Sequence, residues 1–163
     1  MKGHTSSFII NSSLLLLGSS MAFSGLLIQF CYHMGHQGTL DIHNTVLRIS
    51  YWGWSYIHKV SIIFFTIFII LHIIVHWKWY KIIVKKNRLA KNNQVVILSV
   101  VFILVAITGY IPLIIKLIGG YEILRKAFIE VHDKLTFIFF VYLILHVTKR
   151  FRWFMTTFEK LKK

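Results

Sequence analysis

Four histidines fall into two pairs with the same spacing. The first pair brackets an apolar run, His58-KVSIIFFTIFIIL-His72, and the second brackets a close relative of it, His132-DKLTFIFFVYLIL-His146. On an α-helix, fourteen positions return to within about 40° of the starting face and climb about 21 Å. Each segment therefore predicts a helix with an imidazole near either end of one face. Two such helices side by side would oppose their histidines in two tiers, an arrangement suited to two bis-histidine haems and hence to electron transfer. Intramembrane histidine is costly to bury and is a functional-site hypothesis by default. The plainer alternative is a hydrogen bond to a neighbouring helix. Two equally spaced pairs within a repeated segment favour ligation by His58, His72, His132 and His146.

The similarity continues around the histidines. Downstream, His76 and Arg150, Trp77 and Phe151, Lys78 and Arg152, and Trp79 and Trp153 correspond; upstream, Ala22-Phe-Ser24-Gly25 echoes Ala106-Ile-Thr108-Gly109. The chain reads as a duplicated two-helix unit, and repetition of this kind governs the fold. Gly25 and Gly109 fall at the depth expected for the outer haem. They serve either close approach of a porphyrin to the backbone or helix packing through small residues. His76 also returns near the face of His58, but its counterpart Arg150 cannot ligate iron, so His72 is the expected ligand. His76 and Arg150 are left as partners for inner-haem propionates or as headgroup residues. Lys59 and Lys134 have the same two readings at the outer tier.

The elements that must position these residues are apolar helices. The 163 residues are 56% hydrophobic and 16% aromatic, with a single proline, and the mean hydropathy is +0.68. Four stretches have about the 20 apolar residues needed to cross a bilayer core: approximately 8–30, 54–77, 95–118 and 127–147. The expected fold is all-α, a four-helix transmembrane bundle forming a single domain, with a basic tail at 148–163. The formal charge of +14 comes from 19 Lys and Arg against 5 acids. These cations cluster at the ends of apolar runs, as the positive-inside rule requires, which argues against nucleic acid as a partner. The basic residues at 78–91 and at 149–163 place both termini on the cytoplasmic side of the inner membrane. In that topology the second and fourth spans run the same way, so His58 is level with His132 and His72 with His146.

Other features are weaker. Trp52 and Trp54 at the outer boundary, and Trp77, Trp79 and Trp153 at the inner one, read as interfacial anchors. Lys2, Leu14–Leu17 and Ser20-Met21-Ala22 imitate a signal peptide, but the apolar run continues to Phe30, so a retained helix is expected. The single cysteine, Cys31, excludes an internal disulfide and the paired cysteines of c-type haem attachment. Cys31, His33, His36 and His43 contain one thiolate, too few for a convincing copper or zinc site. They read as solvated loop residues or as proton acceptors near a quinol.

Ile57-His58, Leu71-His72-Ile-Ile-Val-His76-Trp77-Lys78-Trp79, Val131-His132 and Leu145-His146 resemble the flavinylation-associated transmembrane cytochromes, small bacterial and archaeal membrane proteins. The resemblance covers nearly the whole chain, and L-H-x-x-x-H-W-x-W is its most specific piece. It implies two molecules of haem b, ligated by His58 with His132 and by His72 with His146. Arg150 stands where the family's second unit can carry a further histidine. The resemblance also implies exchange with the membrane quinone pool and with an extracytoplasmic flavoprotein or another redox subunit, such as a multihaem or iron–sulfur protein. The chain would then be a cytochrome b subunit of an oxidoreductase complex. A transporter or proton channel using the same histidines, and a haem-free anchor of a redox complex, are the competing classes. The spans lack an acidic ion path, and the two units insert in the same orientation rather than inverted.

Overall fold

A computed structural model describes residues 2–32, 45–86 and 88–161. It is 90% helical. Helix α1 (Lys2–Tyr32) leads to a minimal hairpin, β1 (Thr45–Val46) with β2 (Ile49–Ser50), and then to α2 (Tyr51–Val75) and the short α3 (Trp77–Lys85). A single 3-10 turn (Ala90–Asn92) precedes α4 (Asn93–Leu117) and the long α5 (Glu122–Leu161).

Among the described residues, three helical segments are long and apolar enough to cross a membrane: Thr5–Tyr32, Tyr51–Val75 and Ala90–Leu117. They match the first three expected spans to within a few residues. The fourth, 127–147, lies inside α5, where a different balance holds. Asp133-Lys134 and Lys149-Arg150 leave only 135–148 free of charged residues, about 21 Å of helix against the roughly 30 Å of a hydrocarbon core. Of the basic segment after 147, residues 148–161 continue α5. The basic connection after the second span is partly helical. Its first part is α3, with Lys78, Lys81 and Lys85 exposed and Ile83 buried.

The chain divides into two compact units, residues 1–79 with 157–163 and residues 80–156. Each contains one copy of the sequence repeat. In the first unit α1 and α2 pack antiparallel, since Ser20 meets Ser61 at 3.1 Å while the earlier Asn11 meets the later His72 at 2.9 Å. In the second, α4 and α5 are antiparallel by the same logic. Val105 meets His132 at 3.0 Å, and Phe102 lies against Phe139 with ring centroids 5.9 Å apart. Phe65 and Phe139 occupy equivalent places in the repeat and are both buried.

Several hydroxyls on the apolar helices are satisfied locally. The hydroxyls of Ser12, Ser99 and Thr108 each donate 2.8 Å back to the carbonyl four residues earlier, as a low-dielectric surrounding demands. Large apolar side chains such as Leu16, Ile74 and Val141 stand on the outside, where lipid tails would cover them.

The connections are built by capping. The Ser50 side chain accepts from Gly53 N and starts α2, and the helix ends at His76. Gly119 follows α4 at φ +67, and Gly120 N donates to Ile115 O at 2.9 Å. This closing motif needs the left-handed conformation that glycine adopts without penalty. The hairpin turn places both Leu47 (φ 53) and Arg48 (φ 64) in that same region, as a two-residue turn between twisted strands requires.

The tryptophan reading needs one correction. Trp52 is 60% exposed, as an interfacial anchor should be, but Trp54 is buried. Its indole N–H donates to Val46 O at 3.1 Å and its ring meets Phe23 edge-on. Trp54 therefore ties the hairpin to the helices, because Val46 offers the acceptor that a buried indole needs.

Candidate functional site

Each copy of the repeat builds the same arrangement around its first histidine. In the first unit, His58 on α2 directs Nδ1 at the main-chain carbonyl of Met21, 3.0 Å away on α1. Ser24 Oγ is 3.2 Å from the same nitrogen. In the second unit, His132 on α5 directs Nδ1 at the carbonyl of Val105, again at 3.0 Å, with Thr108 Oγ1 at 3.4 Å. Both hydroxyls also turn back to their own helix, Ser24 toward Ser20 O and Met21 O, Thr108 toward Leu104 O and Val105 O.

A carbonyl oxygen only accepts, so the proton in each ring sits on Nδ1. In a neutral imidazole the lone pair then belongs to Nε2. The two nitrogens lie on either side of Cε1, so Nε2 faces away from the carbonyl that holds Nδ1. Metal-ligating histidines carry this signature: one nitrogen donates to a fixed acceptor while the other presents its lone pair.

Gly25 and Gly109 complete the match. A Cβ built on Gly25 would lie 2.9 Å from His58 Cε1, and one on Gly109 would lie 2.8 Å from His132 Cε1. Carbon atoms do not approach so closely, so any side chain there would displace the imidazole. The glycines thus open α1 and α4 to the histidine ring itself.

The second histidines are less alike. His72 directs Nδ1 at Asn11 Oδ1, 2.9 Å away on α1. Its ring also lies against His76, with centroids 4.6 Å apart and planes tilted by 50°. His146 is half-buried on the unbroken α5 that carries His132, and Arg150 is exposed one turn further on. Lys59 is half-buried and Lys134 exposed. Cys31 is a half-buried free thiol, whereas His33, His36 and His43 lie outside the described residues. Among the described residues, no three His, Cys, Asp or Glu side chains gather as a cage for a bare metal ion.

The donor set suits a haem better than an isolated ion. A porphyrin brings four nitrogens of its own and asks the protein for two axial ligands, and imidazole is a usual one. Comparison with known proteins finds no family model, no characterised protein and no solved structure that matches this chain. The local geometry of the histidines therefore carries the functional argument.

Met21, Val105 and Asn11 are the residues that spacing did not single out. Asn11 could have been noticed as a carboxamide inside an apolar run. Main-chain acceptors leave no mark in a sequence, although Ser24-Gly25 and Thr108-Gly109 mark the turns that supply them.

Proposed function

We propose that this chain is a membrane cytochrome b subunit that holds two b-type haems and passes electrons between membrane quinone and a redox partner on the outer face. The observation that carries the reading is the repeated clamp on His58 and His132. In both copies Nδ1 donates to a main-chain carbonyl, a hydroxyl lies beside it, and a glycine makes room for the ring. A buried imidazole needing only one hydrogen bond has no use for that shared construction, whereas an axial ligand needs a fixed tautomer and orientation.

In this reading His58 and His132 serve the outer haem, and His72 and His146 the inner one. The pairing rests on the repeat and on four membrane crossings with both termini cytoplasmic. Bound haem supplies the one-electron chemistry. The chain's own contribution is to hold each Nε2 lone pair in place and to surround the ligands with apolar side chains that keep the local dielectric low. His76 and Arg150 are candidates for the inner propionates, Lys59 and Lys134 for the outer ones. The partner would be an extracytoplasmic flavoprotein or another redox subunit, as in the flavinylation-associated cytochromes that the sequence resembles.

A proton-relay or metal-transport reading has one supporting observation, the contact between His72 and His76. An optical spectrum of the purified protein separates the two readings. Two haems per chain, with sharp α and Soret bands in the reduced-minus-oxidised difference, are expected of the cytochrome. Protein that purifies folded and colourless from haem-replete cells would end the haem reading.

A further inference from the structure

The histidines of the two tiers are not held by the same kind of acceptor. At the outer tier both Nδ1 groups donate to the main chain, which no substitution removes. At the inner tier the acceptor for His72 is a side chain, Asn11 Oδ1 at 2.9 Å. Asn11 follows Phe8-Ile9-Ile10 and precedes Leu14–Leu17, so its carboxamide sits in an apolar helix where an unpaired amide is expensive.

The second copy is built differently. The offset that aligns Ser24 with Thr108 and Gly25 with Gly109 aligns Asn11 with Val95, which offers no side-chain acceptor. The neighbouring Gln94 does carry a carboxamide, and its Nε2 is buried without a hydrogen-bond partner among the described residues. One position out of register is about 100° around the helix, so Gln94 does not reproduce Asn11.

We infer that Asn11 is a positioning residue for His72, one that orients the ring and sets the electron-donating strength of its Nε2. This rests on the haem reading above. An acceptor on Nδ1–H draws the proton outward and makes the imidazole more basic. A more basic axial ligand favours oxidised iron and lowers the reduction potential. Asn11 is then the point at which the inner site can be adjusted by one substitution while the outer site stays as it is. The His76 ring packed against His72 restricts the imidazole further, so that the hydrogen bond acts on a held ring.

The test uses purified full-length protein, with haem counted as the pyridine haemochrome and midpoints measured by potentiometric titration. Asn11→Val copies the residue of the other repeat, and Asn11→Asp strengthens the acceptor. Asn11→Val should keep two haems and raise one midpoint, by up to about tenfold in the oxidised-to-reduced ratio at fixed poise, or about 59 mV for one electron. Asn11→Asp should lower the same midpoint. That midpoint should be the one that disappears in His72→Ala.

Unchanged midpoints with only a lower melting temperature would reduce Asn11 to a packing residue and overturn the inference, as would equal shifts of both midpoints. If Asn11→Val retains one haem, Asn11→Asp must restore the second, and failure to do so also overturns it. Wild-type protein without haem would instead remove the underlying reading.

Discussion

Nδ1 of His132 lies 3.0 Å from the main-chain oxygen of Val105, and Nδ1 of His58 lies 3.0 Å from that of Met21. The two acceptors stand at matching positions of a duplicated helix pair. Because the acceptor is backbone, the tautomer of each ring follows from the fold, and several consequences can be measured.

Removing either outer histidine should remove one haem and spare the other. His58→Ala and His132→Ala are each expected to bind one haem per chain instead of two, with the surviving midpoint unchanged. Loss of both haems from a protein that keeps its helical circular dichroism would contradict separate sites.

The glycines should be intolerant of a methyl group. Gly25→Ala and Gly109→Ala put a carbon within 3 Å of an imidazole carbon, and overpacking of this kind costs about 1–3 kcal/mol. Displacing a ligand from its acceptor lowers metal affinity by about 10–100-fold, so outer haem should be lost during detergent purification. Gly119→Ala is the control. Its φ of +67 makes alanine unfavourable, yet nothing lies near the added carbon, so stability should fall while haem content stays at two. Equal haem retention in all three variants would refute the idea that the glycines make room for the ligands.

The hydroxyls beside the histidines should matter less than the glycines. Ser24→Ala and Thr108→Val remove one neutral hydrogen-bonding group each, typically about 0.5–1.5 kcal/mol, but leave the carbonyls of Met21 and Val105 in place. Both variants should keep two haems, with ferric spectra close to wild type. A variant that loses haem here would show the hydroxyl, not the carbonyl, to be the partner of Nδ1.

Orientation is testable by labelling. In a chain with Cys31 replaced by serine, a cysteine at Arg88 should react with a membrane-impermeant maleimide only from the cytoplasmic side, and one at Leu47 only from the outside. The same accessibility for both positions would require an even number of crossings between them and contradict the proposed topology.

At the start of α5, the hydrogen bonds from Arg125 hold the Glu122 carboxyl below the usual range, with Lys126 and Lys116 adding to the effect. A lowered folded-state pKa means that this stabilisation is present above the unfolded value of about 4.3. It is lost as the pH falls through the folded value. The difference in melting temperature between wild type and Glu122→Gln should therefore be small but measurable at pH 7, and should shrink and vanish as the pH falls through the folded value. A difference that persists at low pH would point to helix capping rather than to charge.

The four histidines, their shared spacing and the duplication were legible in the sequence, as were the limits of the first three apolar helices. All of these are periodic or compositional properties of continuous segments, so no knowledge of neighbours was needed. Ser24-Gly25 and Thr108-Gly109 were visible as a repeated pair, but their use was not, because the ring they accommodate arrives from a residue 33 positions away in one unit and 23 in the other. Trp54 looks like Trp52 in sequence and is buried only because Val46 comes within 3.1 Å of its indole. Asn11 was an isolated amide until α1 and α2 packed antiparallel and brought it to His72. Composition and period determined which helices form and where the imidazoles fall along them. Tertiary packing decided which nitrogen keeps its proton, since that depends on an acceptor carried by another helix.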